Sequence, residues 1–133
     1  MLALLAHYRH PARIVAPGVA VPVGLGLLGL GVAVAVAAVR RLHAARTTLQ
    51  PWESTTTLVT SGPFRYTRNP IYLSYTLLYL GVTFCANSVW PLLLLPLVLG
   101  LVILVVIGRE ERYLEARFGD AYQDYRRRVR RWL

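Results

Sequence analysis

Two short polar segments hold the residues of this chain that could do chemistry. The first runs Thr56-Thr-Leu-Val-Thr-Ser-Gly-Pro-Phe-Arg-Tyr-Thr-Arg-Asn-Pro-Ile-Tyr72. Asn69 can cap a helix whose first turn begins at Pro70, because proline tolerates that position and asparagine accepts hydrogen bonds from orphan amides. Amides at a helix start suit an anion such as a carboxylate, and Gly62-Pro63 bends the chain back ahead of it. Read without a ligand, the same segment is a capped connector whose arginines meet lipid headgroups. The second segment is Gly108-Arg-Glu-Glu-Arg-Tyr-Leu114. Adjacent carboxylates are unexpected beside a negatively charged leaflet. They either pair with Arg109 and Arg112, an exposed interaction worth little, or one of them accepts hydrogen bonds from a bound polar ligand. Helical spacing puts Glu110 and Glu111 both near Leu114, so the pattern does not choose between them.

The elements that must position these segments are apolar. The chain has 133 residues, enough for a single domain, and 56% of them are hydrophobic. Mean hydropathy is +0.47. No Asp, Glu, Lys or Arg occurs in residues 14–39 or in residues 71–107. Both runs exceed the roughly 18 apolar residues that indicate a membrane span, and so short a chain could not cover both with its own polar surface. Pro17 and Pro22 lie near the start of the first run, where missing amide donors do least harm, and Arg40 and Arg41 close it. The second run is too long for one helix. Asn87-Ser88, with Pro91 beyond, is a turn signal that divides it into a helical hairpin, residues 71–86 and 89–107. At about 1.5 Å per residue the first arm reaches only about 24 Å, short of a ~30 Å hydrocarbon core, which requires tilt or a thinned bilayer.

The sequence therefore predicts an all-α integral membrane protein. It has three transmembrane helices, one span plus a hairpin, with a polar connector over residues 47–72 and an amphipathic tail over 108–133. Gly119 splits the tail into helical pieces 109–118 and 120–133. In the second piece Tyr122, Tyr125, Val129 and Trp132 form one face and arginines the other, which suits a helix lying against headgroups. The formal net charge is +9 and every basic residue is Arg. Arg40, Arg41 and Arg46 between the first span and the connector, Arg65 and Arg68 in the connector and eight more in the tail oppose Arg9 and Arg13 on the other side. That asymmetry predicts a cytoplasmic connector and tail, in a bacterial inner membrane. The N-terminal stretch lacks a small-residue cleavage site after a defined apolar core, so no cleaved signal peptide is expected.

Several other signals carry less. Gly24-Leu-Gly26-Leu-Leu-Gly29 spells the dinucleotide-binding glycine pattern, but no strand precedes it and no acidic residue follows at the required distance. Small residues that let membrane helices approach explain it better. His7, His10 and His43 are scattered near span ends and Cys85 is the single cysteine, so no metal site is expected. Cys85 is read as a packing residue. The positive charge flanks apolar spans rather than forming a face on a soluble domain. It is assigned to membrane lipids and not to nucleic acid. The sequence leaves open a homo-oligomer.

At the two polar segments together a resemblance becomes specific. Leu58-Val-Thr-Ser-Gly-Pro-Phe-Arg-Tyr-Thr-Arg-Asn-Pro-Ile-Tyr72, an apolar hairpin, then Glu110-Glu-Arg-Tyr-Leu-Glu-Ala-Arg-Phe-Gly-Asp-Ala-Tyr122 and a basic tail resemble the isoprenylcysteine carboxyl methyltransferase family. Its bacterial members and the related phospholipid N-methyltransferases share this order. The resemblance covers residues 47–133. It implies an S-adenosylmethionine pocket at the cytoplasmic ends of the spans, entered by a lipophilic substrate from the bilayer. Carried over by position, Thr56, Thr57, Leu58 and Val59 wall the cofactor and Phe64 matches an aromatic position. Asn69, Pro70, Ile71 and Tyr72 match the helix-start motif, and Glu110 the cofactor-binding carboxylate.

Three positions depart from the family. Asn69 stands where the eukaryotic enzymes have His, although bacterial relatives often have Asn. Val106 stands where those enzymes have a substrate-holding Arg, which leaves Arg65, Arg68 and Arg109 as candidates for binding the substrate. The N-terminal part carries one span where relatives usually have at least one more. The implied reaction is methyl transfer to a lipophilic acceptor, and fixing the geometry of donor and nucleophile is the main catalytic contribution. A carboxylate acceptor would gain from a dry site because opposite charges annihilate. An amine would need a base that the sequence does not offer. A carboxylate or thiol acceptor is therefore preferred. A phospholipid-amine N-methyltransferase and a non-catalytic membrane partner protein that kept the fold are the alternatives, and no catalytic residue is assigned.

Overall fold

The computed structural model describes residues 12–45 and 57–133. Those residues are helical and connecting, with no strand among them. Helix α1, Pro17–Ala44, begins with proline at its first turn and ends with Arg41 in its last, where positive charge complements the helix dipole. Pro22 lies inside the helix rather than in its first turn. A 3-10 turn at Gly62–Arg65 precedes α2, Pro70–Cys85. After a tight turn, α3 (Val89–Leu101) runs through a π-helical stretch (Val102–Ile107) into α4, Gly108–Phe118. Helix α5, Asp120–Arg128, completes the described elements.

The helices α1 and α2 pack along one another through small residues. A Cβ added at Gly24 would lie 2.7 Å from the backbone nitrogen of Cys85 and 2.8 Å from the carbonyl oxygen of Gly81. Gly26 and Gly29 have no such neighbour within 4 Å. Close backbone approach is therefore the use of Gly24, as small residues permit between membrane helices.

At one end of the pair, Asn87 adopts the left-handed conformation with φ 46°, which asparagine tolerates in turns. Its Oδ1 accepts from the amides of Ile14 (3.0 Å) and Val15 (3.2 Å), and its Nδ2 donates to the Val15 carbonyl at 2.9 Å. The turn predicted at Asn87-Ser88 thus also anchors the chain entering α1. The connector, the start of α2 and the start of α4 gather at the opposite end.

Two helices, Gly18–Ala44 and the continuous Val89–Phe118, are long and apolar enough to cross a membrane, and Pro70–Cys85 is a shorter apolar helix. Only 17% and 6% of the two long apolar windows are buried inside the protein, the opposite of a soluble core helix. Leu25, Leu30, Leu93, Leu97 and Leu104 all face outward. Uncovered by the described residues, these apolar surfaces belong in lipid, and the chain is a membrane protein.

The tail corrects one expectation. The helix after Gly119 stops at Arg128, and Val129 is extended with φ −123° and ψ 129°. Tyr122 and Tyr125 are buried within the protein, while Val129 and Trp132 lie on the non-helical segment that follows rather than on a helical face toward headgroups. The turn at Gly119, with φ 50° and ψ −123°, folds α5 back over the connector. There the tyrosine rings find protein partners, and burial against these outweighs the periodicity that suggested a lipid-facing stripe.

Candidate functional site

The charged end of the bundle holds an open cleft whose empty space, mouth included, is about 840 Å³. Its walls come from the end of α1, the connector, the start of α2, α4 and α5. Thr57, Leu58, Val59, Phe64, Asn69, Pro70, Ile71, Tyr72 and Glu110 all line it. Thr56 lies outside the described residues. Of the three arginines considered for the substrate, Arg68 lines the cleft, whereas Arg65 and Arg109 are exposed and do not. Leu42, Glu111, Leu114, Tyr122 and Tyr125 complete the lining.

The connector reaches this position through its 3-10 turn. Gly62 has φ +63°, and the space of a Cβ there is taken by the Arg41 side chain of α1, so only glycine fits without strain. The amides of Tyr66 and Thr67 both donate to the Pro63 carbonyl, at 3.1 and 3.2 Å. Asn69 precedes Pro70 as expected, but its side chain does not cap the helix. Its Nδ2 instead donates to the Arg131 carbonyl at 3.1 Å, and its own amide donates to Thr67 Oγ1 at 3.2 Å. The tail thus holds the side-chain nitrogen, and the capping oxygen accepts from no amide of the helix.

The π-helical stretch immediately before Gly108 changes the phase of the helix that carries the two carboxylates. Such stretches recur at functional sites. The uncharged run ends at Ile107, so Glu110 and Glu111 stand beyond the apolar part. They point to different partners. Glu110 Oε2 accepts from the Tyr72 hydroxyl at 3.2 Å. Glu111 is buried and doubly paired: Arg68 Nη1 lies 3.0 Å from its Oε1, and Arg131 donates through Nε (3.0 Å) and Nη2 (2.7 Å). The fork geometry of arginine makes that second pair directional as well as charged.

Electrostatics separates the neighbours further. Burial pushes the Glu110 carboxyl above the usual carboxylate range; the Tyr72 hydrogen bond opposes this and the adjacent Glu111 charge adds to it. Burial also pushes Glu111 up, but the Arg131 hydrogen bonds and the charges of Arg68, Arg131 and Arg126 outweigh it and hold Glu111 below that range. Glu111 is a settled ion-pair member. Glu110, with one neutral donor among the described residues, retains the capacity to accept from a cationic or hydroxylic ligand.

Tyr122 and Tyr125 are the lining residues that sequence reasoning placed elsewhere. Arg68 Nη1 donates to the Tyr122 hydroxyl at 3.3 Å, and the Tyr125 hydroxyl donates to the Phe64 carbonyl at 2.6 Å. Burial pushes both phenols above their ordinary range, so they stay protonated donors. Their spacing of three was visible as a helical face; what that face covers was not.

Residues 19–121 match the family described as phospholipid methyltransferase. The chain is also 38% identical over 72 residues, 54% of its length, to a protein named protein-S-isoprenylcysteine O-methyltransferase from Schizosaccharomyces pombe. The aligned stretch covers only 30% of that relative. An uncharacterized protein of Haemophilus influenzae is 41% identical over 71 residues, 47% of this chain and all of the relative. No solved structure matches.

Proposed function

The chain belongs to the phospholipid methyltransferase family, and from that premise we propose that it transfers a methyl group from S-adenosylmethionine to a lipophilic acceptor at the cytoplasmic membrane face. The observation that carries this reading is the convergence of Asn69, Tyr72 and Glu110 from two distant segments on one cleft at the charged end of apolar helices.

The lining fits the cofactor's chemistry. Glu110 suits its ammonium or ribose hydroxyls, because it is a half-buried carboxylate with a single neutral donor among the described residues. Leu58, Val59, Phe64 and Ile71 offer apolar and aromatic cover for an adenine ring. Asn69 spends its Nδ2 on Arg131, which leaves its Oδ1 for the cofactor. Bound there, S-adenosylmethionine supplies an electrophilic methyl group. The chain's own contribution is to bind, orient and exclude water, since positioning is the main requirement of such a transfer. A carboxylate or thiol of a small lipid-like molecule is the preferred acceptor, because among the described lining residues Glu110 is assigned to the cofactor and Glu111 to its arginines, which leaves no carboxylate to act as base for an amine. The family match supports a second reading, a phospholipid-amine N-methyltransferase. Incubating the purified protein with radiolabelled S-adenosylmethionine and a host lipid extract should yield a labelled lipid. A base-labile methyl ester indicates the carboxylate acceptor and a methylated headgroup the amine, and absence of any labelled lipid would overturn both.

The same reading includes three spans, with α2 as a short tilted one. Residues 12–16 and the Asn87 turn lie at one end, the connector and tail at the other, and the arginine asymmetry puts the second end in the cytoplasm. In a Cys85→Ala background, cysteine introduced at exposed Asp124 should react only with reagents on the cytoplasmic side, and cysteine at exposed Ala86 only on the far side. Reaction of both from one side would rule the orientation out.

A further inference from the structure

The segment after α5 does more than end the tail. Residues 129–133 leave the helix and run against the connector, and one residue there, Arg131, touches both halves of the cleft. Its carbonyl accepts from Thr67 Oγ1 at 3.0 Å and from Asn69 Nδ2 at 3.1 Å, while its guanidinium forks onto both oxygens of Glu111. The preceding carbonyl, that of Arg130, accepts from the Arg68 amide at 3.0 Å. Asn69 and Glu111 line the cleft; Arg131 does not.

We propose that Arg131 is a positioning residue of the cofactor site, a clamp that fixes Asn69 and Glu111, and through Glu111 Arg68, in the arrangement that receives the cofactor. The inference rests on the functional reading above and deepens it. Two features argue that the clamp serves the cleft rather than tail packing alone. Arg131 joins the connector to α4, its carbonyl on Asn69 and its guanidinium on Glu111, so loss of the guanidinium frees Glu111 directly and slackens the segment whose carbonyl holds Asn69. It also compensates a buried carboxylate: without it Glu111 keeps Arg68 as its close ion-pair partner, and Arg68 then swings to satisfy it. A site loosened by such a shift loses affinity without losing its residues.

Glu111 is faced by Arg68 from the connector, Tyr122 and Arg126 from α5, Glu110 from its own helix and Arg131 from the strap. Removing Arg131 takes away the leading force that holds its carboxyl down, so Glu111 should then protonate at a higher pH than in the parent. Protonated Glu111 no longer holds Arg68, and binding should weaken as the pH falls. The full-length protein in detergent or nanodiscs is titrated calorimetrically with S-adenosylhomocysteine across a range of pH. Arg131→Ala should weaken binding about ten- to a hundredfold and add an acid-side loss of affinity that the parent does not show. Arg131→Lys, which keeps charge but not the fork, should recover part of the affinity and the parental pH profile. In a Glu111→Gln background, Arg131→Ala should cost much less than alone. Arg130→Ala, which removes an exposed side chain and leaves the backbone carbonyl, should change nothing.

If the parent binds and Arg131→Ala binds equally with the same pH profile, the positioning role is wrong and the cofactor site stands. Should Arg131→Ala fail to fold, the lysine variant decides: parental affinity across the pH range with full loss of the fork overturns the clamp. A parent protein that does not bind S-adenosylhomocysteine at all overturns the functional reading and this inference with it.

Discussion

The two ends of α2 both carry an asparagine at a helix boundary, and they are built for different purposes. At Asn87 the side chain is spent on neutral backbone partners, Ile14 and Val15, which close the turn onto the entry to α1. At Asn69 the side chain reaches 62 residues along the chain to Arg131, inside a network that includes Arg68, Glu111, Tyr122 and Thr67. One end is anchored through neutral backbone groups. The other brings buried charges together beside a cleft, an arrangement that costs desolvation and is weak evidence of stability by itself. Charges placed there at such a cost, next to a carboxylate with one neutral donor among the described residues, are the basis on which the proposed site is put at this end.

The sharpest break in that contrast comes from Glu110. Glu110→Gln removes the carboxylate assigned to the cofactor's ammonium or ribose and leaves the Glu111 ion pairs in place. Loss of one charged partner typically costs about 1.5–3 kcal/mol, or roughly ten- to a hundredfold in affinity. Calorimetry with S-adenosylhomocysteine should show that loss with thermal stability preserved. Glu115→Gln, outside the cleft and partnered by Gln123 and Arg126 on the surface, should bind like the parent. Equal affinity in all three proteins would remove Glu110 from the site.

Much of this arrangement was legible in the residues. The uncharged runs gave the apolar helices, Asn87-Ser88 the turn, and the paired motifs the residues that meet at the cleft. What stayed hidden depends on contacts distant in sequence. Arg131 meets Glu111 across 20 residues and Tyr125 meets Phe64 across 61, so no local periodicity reports either. Tyr122 and Tyr125 read as a lipid-facing stripe because a helical face does not say what covers it. The choice between Glu110 and Glu111 was also beyond spacing. Adjacent carboxylates are equivalent in sequence, and only the π-helical stretch and the folded-back tail give them different neighbours.

The other end of α2 should answer differently. Asn87→Ala removes three hydrogen bonds from the turn and puts a Cβ-bearing residue with no local side-chain support at φ 46°. Each hydrogen bond contributes about 0.5–1.5 kcal/mol, and the strained conformation adds of order 1 kcal/mol. Asn87→Gly relieves the strain but not the missing hydrogen bonds, so it separates the two costs. Both variants should unfold at lower temperature than the parent, alanine more than glycine. Neither should change S-adenosylhomocysteine affinity measured well below the transition, because nothing from this turn lines the cleft. A stability loss without an affinity loss is the reverse of the Glu110→Gln result, and the pair of measurements sets the two ends apart. If Asn87→Gly instead weakens binding as much as Glu110→Gln does, the turn and the cleft act as one unit through α2, and the division into an anchored end and a working end does not hold.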